Sequence, residues 1–126
     1  MKEEQYKKFA TIAEKYLSLE KTKNAAYVVI IAHSPYELKL EGEALHHCVG
    51  SCNYDQKFIR EESLIFFVRD INDINTPLVT MEYGLKTQKV LQLYANHNQK
   101  PSDEIQNYIY KKWLPYANKQ LKQISI

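Results

Sequence analysis

The stretch Ser63–Ala95, SLIFFVRDINDINTPLVTMEYGLKTQKVLQLYA, decides the fold. Leu64–Val68 is a run of bulky and β-branched apolar residues, the composition of a strand. Asp70–Thr76 carries Asp70, Asn72, Asp73 and Asn75 and reads as a turn. Pro77–Tyr83 is a second strand, Gly84–Gln88 a hairpin-length connection, and Lys89–Ala95 a third strand. Parallel neighbours need a crossover of a dozen or more residues, and neither connection is that long. The three segments therefore read as an antiparallel meander.

Upstream, Tyr27–Ala32 is β-branched and reads as a fourth, buried strand. Before it, Tyr6, Phe9, Ala10, Ala13, Tyr16 and Leu17 recur at helical spacing and predict a helix over 3–19. Lys21–Asn24 is a polar break. Ser34 and Pro35 suit the cap and first position of a helix running from Tyr36 to about His47. Leu38, Glu41, Leu45 and Cys48 lie near one another on it, and Gly50 ends the element. Tyr54–Arg60 reads as a short helix capped by Asn53. Downstream, Ser102 or Asp103 caps a last helix with Ile105, Tyr108, Ile109 and Trp113 on its apolar face. Asp103 with Gln106 fits a capping box, and Pro115 is expected to kink or end the helix. The expected architecture is α+β in one domain over 1–126. A mostly antiparallel sheet of about four strands packs with N- and C-terminal helices, which cover one face.

Composition narrows the classes of function. At 44% hydrophobic and 25% charged residues, the chain is ordinary globular material. A net charge of +2 does not by itself call for a nucleic-acid partner, although a local basic patch remains open. The apolar run Ala25–Ala32 falls far short of the ~20 residues of a membrane span, so no membrane partner is expected. The charged N-terminus has no signal-peptide core, and the expected location is cytoplasmic. There Cys48 and Cys52 would stay reduced.

The densest reactive cluster is His46, His47, Cys48, Ser51 and Cys52. Neighbouring histidines on a helix point about 100° apart, so only one faces the same site as Cys48. A thiolate beside an imidazolium is a possible nucleophile. The helix C-terminal end opposes it, however, and a buried packing cysteine is the plainer reading. Cys48, Cys52 and a histidine, with His97, could be metal ligands, but the pattern is loose and no metal or other cofactor is expected. On the sheet, Thr80 and Glu82 share one face, with Arg69 and Gln92 on the neighbouring strands. Such a set suits a phosphate, a nucleobase or a peptide backbone. An Arg69–Glu82 ion pair serving structure alone reads equally well. In the last helix, Lys111, Lys112, Lys119 and Lys122 interleave with Tyr108, Tyr110, Trp113 and Tyr116. This pattern suits nucleic acid, or simply a solvated helix face. Ten tyrosines also suit a protein-binding face, with Tyr108 its test position and Trp113 core.

The run Ser34-Pro35-Tyr36-Glu37-Leu38, Glu41-Gly42, Ala44-Leu45-His46-His47-Cys48-Val49-Gly50-Ser51 and Tyr54 resembles the PcfJ-like family. So does a second set further along the chain: Glu62-Ser63, Ile65-Phe66, Arg69, Pro77, Thr80-Met81-Glu82, Gln92, Asn96 or Asn98, Pro101 and Trp113. The resemblance covers about 27–114 and leaves the N-terminal helix outside. It implies a protein of conjugative plasmids, integrated elements or phages. It marks His47, Cys48, Gly50, Arg69, Thr80, Glu82, Gln92 and Asn98 as site positions, while Cys52 falls at a variable position. Three functions are expected from it. The first is a nucleic-acid-associated factor in DNA processing or transfer, with Arg69 and lysines on phosphates and Thr80, Glu82, Gln92 and Asn98 on a base, sugar or backbone. The second is an enzyme on nucleotide, nucleic acid or protein, with His47, Cys48 and Glu82 as its catalytic groups and Arg69 as an anion clamp. The third is an inhibitor or adaptor of a host protein.

Overall fold

The computed structural model describes residues 2–23 and 25–124. Its elements are helix α1 (Lys2–Lys15), strand β1 (Tyr27–Ile31), helices α2 (Pro35–Leu45) and α3 (Tyr54–Ile59), and strands β2 (Ser63–Asp70), β3 (Val79–Gly84) and β4 (Lys89–Tyr94). Helices α4 (Asp103–Tyr108) and α5 (Leu114–Ile124) close the chain. The four strands pair antiparallel in the order β1-β2-β3-β4, so the α+β meander expected from the sequence is the observed sheet. Phe67 faces Thr80, Ile65 faces Glu82, and Glu82 faces Gln92 across the ladders. A register shift between Glu82 and Tyr83 leaves Leu91 as the extra residue of β4, a bulge beside Gln92.

The strict alternation of strands separates two faces. On one, the Trp113 ring meets Phe66 and Tyr83 edge-on, at centroid distances of 5.0 and 5.4 Å. Its indole N–H also donates to the Leu19 carbonyl (2.9 Å). Phe66 and Tyr83 are an odd number of residues from Arg69 and Thr80, so those two point to the opposite face. There they meet Glu41 of α2. Helices therefore cover both faces, and the expectation of a single covered face is corrected. Helical periodicity shows which side of α2 is buried but not which side of the sheet receives it. Arg69 and Thr80 need a polar partner on this face, and Glu41 supplies it.

Local chemistry sets the helix ends. The Ser34 hydroxyl accepts the Glu37 N–H, with Pro35 in the first turn as expected. At the last helix, Ser102 rather than Asp103 is the cap and accepts the Ile105 N–H. Gln106 donates its amide to the Pro101 carbonyl, so the expected capping box is not made. Asn53 precedes α3 in a left-handed conformation and caps nothing with its side chain. Pro115 does not end the helix. The turn Ile109–Trp113 widens by one residue and α5 continues to Ile124. The missing N–H of Pro115 is absorbed by that wide turn, a common place for such an irregularity.

Candidate functional site

The site begins at the end of α2. His46 takes a left-handed conformation (φ 55°), and both its N–H and that of His47 bond to the Gly42 carbonyl. The loop then folds back onto the helix. A Cβ on Gly42 would sit 2.9 Å from the His47 carbonyl oxygen, and one on Gly50 would sit 2.6 Å from Lys39 Cα. Neither position tolerates a side chain without moving backbone, so the two glycines let the loop seat His47 against the sheet.

His47 is held by a buried chain of polar groups. Its Nε2 lies 2.9 Å from Thr80 Oγ1, and Thr80 Oγ1 donates to Glu41 (3.2 Å). Both oxygens of Glu41 accept from the Arg69 guanidinium, at 2.9 and 2.5 Å. Glu41, Thr80 and Arg69 are each buried. A carboxylate only accepts, so the Thr80 proton points to Glu41 and Thr80 accepts from His47 Nε2–H. The Val49 N–H approaches Nδ1 at 3.4 Å, which agrees with a neutral ring protonated at Nε2. Burial is also the largest influence on His47 and lowers its pKa below 6.5, partly offset by its backbone hydrogen bond and by Glu41. The unfolded chain protonates His47 at higher pH than the folded one, so stability is full above about 6.5 and falls as pH drops below it. Denaturation midpoints from pH 8 to 5 should decline for the wild type and decline less for His47→Gln. Parallel curves would exclude His47 as the source.

Glu82 is the second buried carboxylate. One of its oxygens accepts from Ser63 Oγ (2.7 Å), with Lys57 Nζ 3.9 Å away at the surface. Its other oxygen makes no hydrogen bond to a described residue and is open to solvent at the recess. Across the ladder, the Gln92 side-chain oxygen accepts from the Tyr54 hydroxyl (3.1 Å), which leaves the Gln92 amide N–H₂ to donate elsewhere. His47, Cys48, Thr80, Glu82, Gln92 and Asn98 all line one recess of about 30 Å³, with Tyr54 and Tyr94 beside them. That is room for one water-sized group, or for the polar edge of a larger ligand.

Six of the eight site positions expected from sequence thus come together. Gly50 does not line the recess but packs on Lys39 in the loop that carries His47. Arg69 lies outside the recess, paired with Glu41 rather than Glu82, and its guanidinium is not free to clamp an anion. Cys48 and Cys52 are joined as a disulfide, with Cα atoms 5.6 Å apart, inside the range a bridge requires. The expectation of two reduced thiols is corrected, and a bridged Cys48 offers no thiolate. No group of three or more metal-ligating side chains occurs among the described residues. His46 turns away from the recess and stacks on His97 (4.6 Å between centroids). Tyr108 is half-buried against Tyr27, and its hydroxyl is buried without a partner, so it is not an exposed anchor for another protein. Glu41 was not among the expected site residues. Its signal was a lone carboxylate between Leu38 and Leu45 on the inward stripe of α2.

The model of the family described as PcfJ-like protein matches residues 1–110. The chain belongs to the PcfJ-like family. The match takes in α1, whereas the resemblance read from sequence started at residue 27. An uncharacterized protein of Listeria innocua serovar 6a is 38% identical over 107 residues, covering 84% of this chain and 22% of that protein. The PcfJ-like chain therefore spans about a fifth of the length of the curated relative it matches. No solved structure matches it. Among the described residues, no helix of this PcfJ-like chain is long and apolar enough to cross a membrane.

Proposed function

We propose that this PcfJ-like chain is a nucleic-acid-associated factor in the DNA processing or transfer of a mobile element, and that its recess reads the hydrogen-bonding edge of a base. One observation carries this reading. The free oxygen of the buried Glu82 carboxylate accepts, the amide of its cross-strand partner Gln92 donates, and the two sit side by side in one recess. A base edge presents the complementary pair, a donor next to an acceptor. That oxygen is open to a donor from a ligand, in a recess lined by Gln92 and Thr80. Phosphate is a poor occupant, since the recess holds a carboxylate and Arg69 is already paired. Acid–base catalysis is the weaker reading, because both ring nitrogens of His47 already have protein partners.

The test is binding of short single-stranded oligonucleotides of each base across a salt series. Glu82→Gln keeps the shape and removes the charge. It is expected to weaken the preferred base by about 10-fold, within the ~1–3 kcal/mol of a good base contact, and to leave the salt slope unchanged. Equal affinities of wild type and variant for all four bases would remove Glu82 from recognition.

A further inference from the structure

A second depression borders the recess, with Gln92 and Tyr94 lining both. This is a groove of about 180 Å³ between the open edge strand β4 and the start of α4. Leu91, Tyr94 and Tyr110 line it and are 49%, 37% and 47% exposed, a large apolar surface to leave in water. Pro101, Gln106 and Lys100 complete it. None of the residues lining the groove is acidic, and Lys100 makes it positive. The bulge at Leu91 sets this surface, since the register shift lies next to Gln92.

The last helix is where lysines and aromatic rings interleave, and the structure sorts those rings by availability. Trp113 is fully buried. The Tyr116 hydroxyl donates to the Ser18 carbonyl, and Lys21 lies over its ring. Tyr108 packs on Tyr27. Tyr110 alone among these four is an exposed ring in a groove, and the exposed Lys111 comes next in the chain.

We infer that this groove is the path of a single nucleic-acid strand, with bases stacked on Tyr110 and Tyr94 and the backbone running past Lys100. The inference rests on the base-reading role of the recess and extends it from one base to the strand on either side. Aromatic faces beside a lysine, with no carboxylate, are the chemistry of sequence-tolerant strand binding. A base on Tyr94 stands at the mouth of the recess, where its neighbour reaches Glu82 and Gln92.

The experiment measures anisotropy of a labelled oligothymidylate of about twelve nucleotides, a length within the usual footprint of such surfaces. A strand of equal length with abasic sugars runs beside it. Tyr110→Ala should weaken the thymidylate by at least about 5-fold, the lower end of one lost stacking contact. Tyr110→Phe should bind as the wild type does, and the abasic strand should bind the wild type more weakly than thymidylate does. Tyr110 is exposed, and an unchanged melting curve would show that the variant folds. If Tyr110→Ala binds like the wild type while Glu82→Gln is impaired, the recess reading stands and the groove is not the strand's path. If the abasic strand binds as tightly as thymidylate, the contact is with phosphates and stacking is excluded. If the wild type binds no strand at low salt, the base-reading function falls and this inference falls with it.

Discussion

Arg69→Ala should cost about 3–5 kcal/mol of folding stability, the usual loss when one partner of a buried ion pair is removed. The variant strands Glu41, whose buried oxygens accept from Arg69 and Thr80. Thr80 would then donate to an unpaired buried charge, and the hold on His47 would loosen with it. Folding stabilities of about 5–15 kcal/mol make this a loss of a large share of the total. The double variant Arg69→Met with Glu41→Leu tests the cause. It removes both charges and keeps apolar bulk, so it should recover most of the loss, because desolvating the pair offsets much of its attraction. Urea unfolding of both single variants and the double variant gives the coupling energy. A single Arg69→Ala variant within about 0.5 kcal/mol of the wild type, the range of an ordinary surface change, would mean the pair is not buried in solution. Loss of nucleic-acid binding in Arg69→Ala would accordingly report on the fold rather than on a phosphate contact.

Much of the fold was legible because its signals are local. The Asn and Asp turn after Arg69, the hairpin-length Gly84–Gln88 segment and the Ser34-Pro35 start of α2 each act within a few residues. The shared face of Thr80, Glu82 and Gln92 follows from strand alternation and a meander register. His47 stood out in the reactive cluster after α2, but its grouping with the sheet residues, and Asn98 itself, came in through the resemblance, since nothing local brings a helix end and the turn after β4 to the same strand pair. What stayed hidden depends on tertiary pairing. Helical spacing puts Glu41 beside Leu38 and Leu45, but only the position of α2 over β2 and β3 makes it the partner of Arg69. The same placement took Arg69 away from Glu82 and out of the recess. Pro115 misled because a wide turn can absorb a missing N–H, which a rule about single residues does not see.

Trp113→Ala should be the most damaging apolar substitution, at about 3–5 kcal/mol, the range for deleting a large buried aromatic. Trp113 is fully buried and makes three distinct contacts: the rings of Phe66 and Tyr83, and the hydrogen bond to Leu19. It therefore ties the last helix to the sheet and to the turn after α1. Trp113→Phe separates the contributions. It keeps an aromatic ring against Phe66 and Tyr83 but leaves the Leu19 carbonyl without the indole donor. A loss near 1–3 kcal/mol is expected, the cost of an unsatisfied buried polar group together with a partial cavity. Thermal and urea melts followed by circular dichroism serve both variants, since the chain has one tryptophan and each variant removes it. If Trp113→Phe is as damaging as Trp113→Ala, the hydrogen bond to Leu19 is the main contribution. If Trp113→Ala costs under about 1 kcal/mol, well below the range for a buried aromatic, the ring is not the core contact between sheet and helix. Because Trp113 lies on the sheet face opposite the recess, Trp113→Phe should keep the base preference set by Glu82 wherever it remains folded. Trp113 shares its turn with Tyr110, so any change in strand affinity would come through the groove and not through base reading in the recess.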